Sequence, residues 1–139
     1  CSCSELLQRV IILNDDFSAT LKYADENTFF YFDPPYKPLS RTSSFISYST
    51  GTFGDREQKR LAGFCRKLHG KNSNWLLSNS DPKNTKSDDS FFDKLYKGFH
   101  IKRVKARRNI NSVSSKRGHI SELLISNYAM PGDNCSGRI

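Results

Sequence analysis

Asp33-Pro34-Pro35-Tyr36 is the stretch of this 139-residue sequence whose residue types could do chemistry together. Two consecutive prolines fix φ and remove two backbone donors, so the segment is held extended with its carbonyls turned outward as acceptors. Asp33 adds a carboxylate at the same point. An exocyclic amine could donate one hydrogen to Asp33 and the other to the Pro34 carbonyl, while the flat face of Tyr36 stacks on the base that carries it. Such an amine is a poor nucleophile because its lone pair is delocalised into the ring. Two acceptors that favour a more tetrahedral nitrogen localise that pair as it attacks an electrophilic methyl group. This is preorganised electrostatic stabilisation and needs no general base of shifted pKa. A strand exit that merely contains proline would carry the same letters, so the flanking elements matter.

Those elements read as an α/β chain. Val10-Ile11-Ile12-Leu13 is a short apolar run before Asn14-Asp15-Asp16 and predicts a buried strand. Ser18–Tyr23 predicts a short helix with Ser18 as its cap. Thr28–Phe32 predicts a second strand, apolar on both faces and therefore central and parallel. From Lys37 to Gly54 neither a twofold nor a 3.6-residue period survives, which predicts a long mobile loop, either functional or disordered. Leu61, Phe64, Cys65 and Leu68 recur at helical spacing within Asp55–His69, with Gly70 as the stop. Asn74–Asn79 predicts a third strand, Phe91–Tyr96 a short helix closed by Gly98, and His100–Arg108 and His119–Asn127 two strands joined as a hairpin. Ligands of such sheets bind beyond the carboxyl ends of the strands, where Asp33–Tyr36 and Ser78-Asn79-Ser80-Asp81 both fall.

Lys and Arg number 22 against 14 Asp and Glu, a net charge of +8 that favours a polyanionic partner such as nucleic acid. Cys1, Cys3, Cys65 and Cys135 are unevenly spaced, and His69, His100 and His119 are scattered, so no metal site is expected. With no signal peptide and no apolar run near the length of a membrane span, a reducing cytoplasm is the expected location, with no membrane association.

Tyr31-Phe32-Asp33-Pro34-Pro35-Tyr36 resembles the signature of Dam-type adenine-specific DNA methyltransferases. The likeness runs from about Leu6 to Tyr128 in the family's order. Asp16-Phe17 resembles the element that contacts the adenine of the cofactor. Pro38-Leu39-Ser40 with Phe45 and Tyr48 resembles a loop that orders on DNA. Leu77-Ser78-Asn79-Ser80-Asp81 resembles the next strand end, and Arg107-Arg108-Asn109-Ile110-Asn111 with Glu122-Leu123-Leu124-Ile125 the closing hairpin. The resemblance implies S-adenosylmethionine as cofactor, touched by Asp16, Phe17 and Asp33. It also implies double-stranded DNA as partner and a flipped adenine held by Asp33, Pro34, Pro35 and Tyr36. Lys37, Ser40, Arg41, Phe45, Tyr48, Ser78, Asn79, Arg107 and Arg108 are the implied DNA contacts, and Lys102, Arg103 and Lys105 extend the basic cluster. Enzymes of this kind serve restriction-modification systems, phages and housekeeping methylation.

The sequence departs from the family where a glycine-rich F-x-G-x-G loop and a downstream acidic residue would hold the cofactor, and it has no counterpart of the segment that reads bases. The expected fold is therefore a partial Rossmann-like methyltransferase sheet with an antiparallel C-terminal hairpin. Residues 1–128 read as the C-terminal part of a catalytic domain and 129–139 as a flexible tail. An N-terminal half of the same enzyme is an implied partner, without which this chain is expected to be weak or inactive. Three alternatives accompany this reading: an amine methyltransferase acting on RNA or protein, a non-catalytic basic DNA-binding remnant, and a purely structural domain.

Overall fold

The computed structural model of the chain describes residues 3–37, 53–107 and 119–132. In chain order it contains α1 (Cys3–Leu7), a 3-10 helix (Phe17–Tyr23), β1 (Phe29–Phe32), α2 (Asp55–Gly70) and β2 (Asn74–Ser80). A 3-10 turn (Pro82–Asn84), α3 (Phe91–Leu95), β3 (His100–Arg107) and β4 (His119–Ser126) complete it. The four strands form one sheet in the order β1-β2-β4-β3, with β1 parallel to β2 and the remaining pairs antiparallel. The expected α/β sheet with an antiparallel C-terminal hairpin is thus present.

The register sorts the side chains. Phe30, Trp75, Leu77, Ile125 and Leu123 point to one face, and α2 supplies the opposing layer with Leu61, Ala62, Phe64, Cys65 and Leu68. Trp75 and Tyr96 are fully buried, and Phe99 meets Trp75 edge-on at 4.9 Å between ring centroids. The apolar stripe of α2 recurs every three or four residues, and Asp55 and Glu57 at its start with Lys67 and His69 at its end suit the helix dipole. The helix runs through Gly70, and the left-handed residue that ends it is Asn72 (φ 60°), not Gly70 as the spacing predicted. Asn tolerates that conformation because its short polar side chain bonds locally. Gly98 (φ 94°) closes α3 as expected.

Burial pushes the Cys65 thiol up to about 12. Site-resolved alkylation at about pH 8.5 is therefore expected to spare Cys65 in the folded chain and to modify it once denaturant exposes it.

Two sequence expectations about strands fail. Val10–Leu13 forms no strand, and its side chains are between 44% and 81% exposed. β1 is an edge strand among the described residues, with Phe29 and Tyr31 more than half exposed. An apolar run becomes a strand only against a neighbour that completes its ladder, and none of the described residues provides one. The helix after it is also capped differently. Asp16, not Ser18, is the N-cap, and its side chain accepts from the Ser18 amide at 2.9 Å.

Candidate active site

The parallel ladder between β1 and β2 stops at the pair Phe32 and Leu77. Beyond it Pro34 and Pro35 have no N–H to offer, so side chains of β2 take over the pairing. Ser78 Oγ donates to Asp33 Oδ1 at 2.9 Å. Asn79 Oδ1 accepts from the Lys37 amide at 3.1 Å, and Ser80 Oγ donates to the Lys37 carbonyl at 2.7 Å. These three β2 residues are buried. The tetrapeptide is therefore held from beneath at both of its ends.

A fourth group grips its middle. Gln58, closing the first turn of α2 and fully buried, donates from Nε2 to the Pro35 carbonyl at 3.2 Å. Its Oε1 accepts from Asn79 Nδ2, also at 3.2 Å. Among the described residues nothing donates to the Pro34 carbonyl. Asp33 is exposed and Pro34 half-buried, and both line the smaller of the two cavities described below. Tyr36 is 38% exposed. Partial burial raises its phenol above the ordinary value against a lowering contact from Ser78, and the charges of Glu122 and Asp33 add to the rise. It stays a neutral ring suited to stacking.

A second group lies at the start of α2. The Arg60 guanidinium pairs with Asp16 and with Glu57 and sits 4.4 Å from the centre of the Phe17 ring. Arg60 first, then Ser18, holds the Asp16 carboxyl below its ordinary value. Asp16, Phe17, Phe53, Glu57 and Arg60 line a cleft of about 800 Å³. A smaller cavity of about 200 Å³ adjoins it, lined by Asp33, Pro34, Tyr31 and Leu61, and Phe17 and Phe53 line both. The two polar groups thus share one aromatic wall.

The guanidinium on Phe17 bears on the cofactor that the resemblance implies. It is flat, its electrons are delocalised, and it donates N–H bonds to Asp16 while covering an aromatic face. The edge and face of adenine offer the same complement, so Asp16 and Phe17 fit the adenine part of S-adenosylmethionine. Among the described residues no group of three His, Cys, Asp or Glu side chains is placed to hold a metal ion.

Comparison with known proteins decides the family. A family model, D12 class N6 adenine-specific DNA methyltransferase, matches residues 2–110. This chain belongs to that family. It is 50% identical over 126 residues to the type II methyltransferase M.MjaIII of Methanocaldococcus jannaschii, covering 90% of this chain and 42% of that protein. It is 38% identical over 129 residues to the type II methyltransferase M1.LlaDCHI of Lactococcus lactis, covering 91% and 43%. It is also 34% identical over 118 residues to a DNA adenine methylase of Haemophilus influenzae, covering 84% and 39%. The chain thus spans about two fifths of the length of these relatives.

Within this D12-class chain the fold brings some of the sequence-derived candidates together and separates others. Asp33, Pro34 and Tyr36 stand at the end of β1, with Asp16 and Phe17 across the shared wall. Ser78 and Asn79, expected as DNA contacts, lie buried under the tetrapeptide. The Lys37 ammonium pairs with Asp55 and sits 4.1 Å from the centre of the Phe91 ring. Arg107 lies at the far end of β3, opposite His119. Ser40, Arg41, Phe45, Tyr48 and Arg108 fall outside the described residues.

Arg103, from the basic cluster, is tied to Asp81 at 3.0 Å and to Asp93 at 2.9 Å, and the Lys102 ammonium donates to the Pro131 carbonyl. Gln58 and Arg60 were missed by sequence reasoning. Gln58 did leave a signal: it lies three residues before Leu61 and seven before Cys65, a polar residue in line with the apolar stripe.

Proposed function

We propose that this chain is the catalytic portion of an enzyme that methylates the exocyclic amine of adenine in double-stranded DNA, with the adenine swung out of the helix. The observation that carries the reading is that Asp33 and Pro34 line one cavity on a tetrapeptide held by Ser78, Asn79, Ser80 and Gln58, with no donor among the described residues on the Pro34 carbonyl. Ser78 engages Oδ1 of Asp33, which leaves Oδ2 to accept one amine hydrogen while the Pro34 carbonyl accepts the other. Drawing both hydrogens to one side of the ring plane makes the nitrogen more tetrahedral and takes its lone pair out of conjugation with the ring. Tyr36 supplies the face on which the extruded base stacks, offsetting part of the few kcal/mol lost on unstacking it. Bound S-adenosylmethionine supplies an electrophilic sulfonium methyl group. Asp16 would hold the adenine amine of that cofactor and Phe17 its face. The shared wall of Phe17 and Phe53 supports placing the cofactor and the target on either side of it.

An N-terminal portion of the same enzyme is the partner this reading calls for. The exposure of Val10–Leu13, and of Phe29 and Tyr31 on β1, an edge strand among the described residues, supports it. The test is transfer of a tritiated methyl group to duplex DNA, with nucleoside digestion to identify 6-methyladenine. The complete enzyme should form it, and the 139-residue chain alone should be weak in both transfer and cofactor binding. Tight cofactor binding or full transfer by the isolated chain would sink the fragment reading.

One prediction follows from the Arg60 contacts. Because the guanidinium covers the face and carboxylate assigned to adenine, Arg60→Met is expected to tighten adenosine binding about threefold to tenfold. Titration followed by NMR shifts around Asp16 and Phe17 measures it.

A further inference from the structure

We infer that Gln58 is the positioning residue of the amine-binding tetrapeptide, dividing the work of its two proline carbonyls and coupling it to the start of α2. The inference rests on the reading of Asp33 and Pro34 given above. Two adjacent carbonyls without intervening N–H groups would compete for the same donor, and the segment could rotate to offer either one. The Gln58 amide removes that freedom. Its Nε2 occupies the Pro35 carbonyl, so the Pro34 carbonyl is the acceptor that remains beside Asp33.

The grip is itself held. Asn79 Nδ2 donates to Gln58 Oε1, which fixes the amide orientation so that Nε2 faces Pro35. Asn79 Oδ1 in turn receives the Lys37 amide and the Ser80 amide, the latter at 2.9 Å. Gln58 and Asn79 are both fully buried, so each unmade bond would carry a full desolvation cost. A closed network of this kind tolerates one arrangement only.

Gln58 is followed two residues later by Arg60 and preceded by Glu57, both of which line the large cleft beside Asp16. One turn of α2 therefore carries side chains into both halves of the site. Any shift of that turn when the cleft fills is passed to the Pro35 carbonyl through a side chain packed against β2.

The test uses Gln58→Glu and Gln58→Met in the complete enzyme, with Asp33→Ala alongside. Glutamate keeps the acceptor for Asn79 but, ionised, cannot donate to Pro35. Methionine removes both bonds while filling the same volume. For each Gln58 variant kcat per active site, titrated by burst amplitude, should fall about tenfold to a hundredfold, with KM for DNA and for S-adenosylmethionine within about twofold of wild type. In the 139-residue chain, exchange of the Lys37 amide should quicken about tenfold or more while the Leu77 and Ile125 amides stay protected.

Activity lost only through a smaller active fraction, with kcat per site unchanged, would show a purely structural role and overturn the inference. Unchanged exchange at Lys37 would overturn it as well. If Asp33→Ala transfers methyl groups at the wild-type rate, the amine-grip reading itself fails, and the role of Gln58 goes with it.

Discussion

Asp33→Ala in the complete enzyme is expected to lower methyl transfer to adenine by about 10²–10³-fold, the usual effect of deleting one preorganised partner of a transition-state dipole. The carboxylate is exposed and fixed by Ser78 at 2.9 Å, so its loss removes an acceptor without opening a core cavity. Retention on DNA at low salt should stay within about twofold, because that binding comes from phosphate contacts of lysine and arginine. Single-turnover transfer measured beside filter retention separates the two quantities. A non-catalytic DNA-binding protein would show no transfer to lose. Asp33→Asn sharpens the result: the amide keeps one oxygen but lacks the charge, so its loss should be roughly tenfold smaller than that of alanine. Equal activity of all three proteins would mean that the amine is not bound at Asp33.

The second large effect is on stability. Arg103→Met is expected to cost about 2–4 kcal/mol, because it strands a buried carboxylate. Asp81 is 1% exposed and relies on the Arg103 Nε at 3.0 Å, and the same guanidinium clamps Asp93 on α3 at 2.9 Å. The Asp93 carboxyl lies below its ordinary value, with bonds from Arg103 and Lys83 outweighing its desolvation. Arg103 is itself one-third exposed, which keeps the expected cost below the upper range for such pairs. Lys105→Met on the same strand removes an exposed charge and should change stability by less than about 0.5 kcal/mol. Denaturant midpoints measure both. The pair also divides the basic cluster by role: Lys105→Met should reduce the salt dependence of DNA binding, and Arg103→Met should not once unfolding is corrected for.

Much of the fold was legible because its cues are local. The stripe of Leu61, Phe64, Cys65 and Leu68 can be read as a helix without knowing what it packs on, and Gly98 marks the end of α3 by its own backbone freedom. The strands β2, β3 and β4 have alternation or apolar runs of their own and appear within a residue of their expected limits. Val10–Leu13 carries an equally apolar signal and forms no strand, since propensity supplies half of a ladder and the neighbour supplies the rest.

The same division runs through the site. By itself the sequence determined that a carboxylate, two donor-free carbonyls and an aromatic ring follow a strand, because proline chemistry and residue order are properties of the chain alone. Only the tertiary structure decided which proline carbonyl is taken within the fold, through Gln58 reaching Pro35 from 23 residues away. Tertiary structure alone also sank Ser78 and Asn79 beneath the tetrapeptide and set Arg60 on the face of Phe17. Those outcomes depend on distances across the core between residues far apart in sequence, and no local pattern encodes such distances.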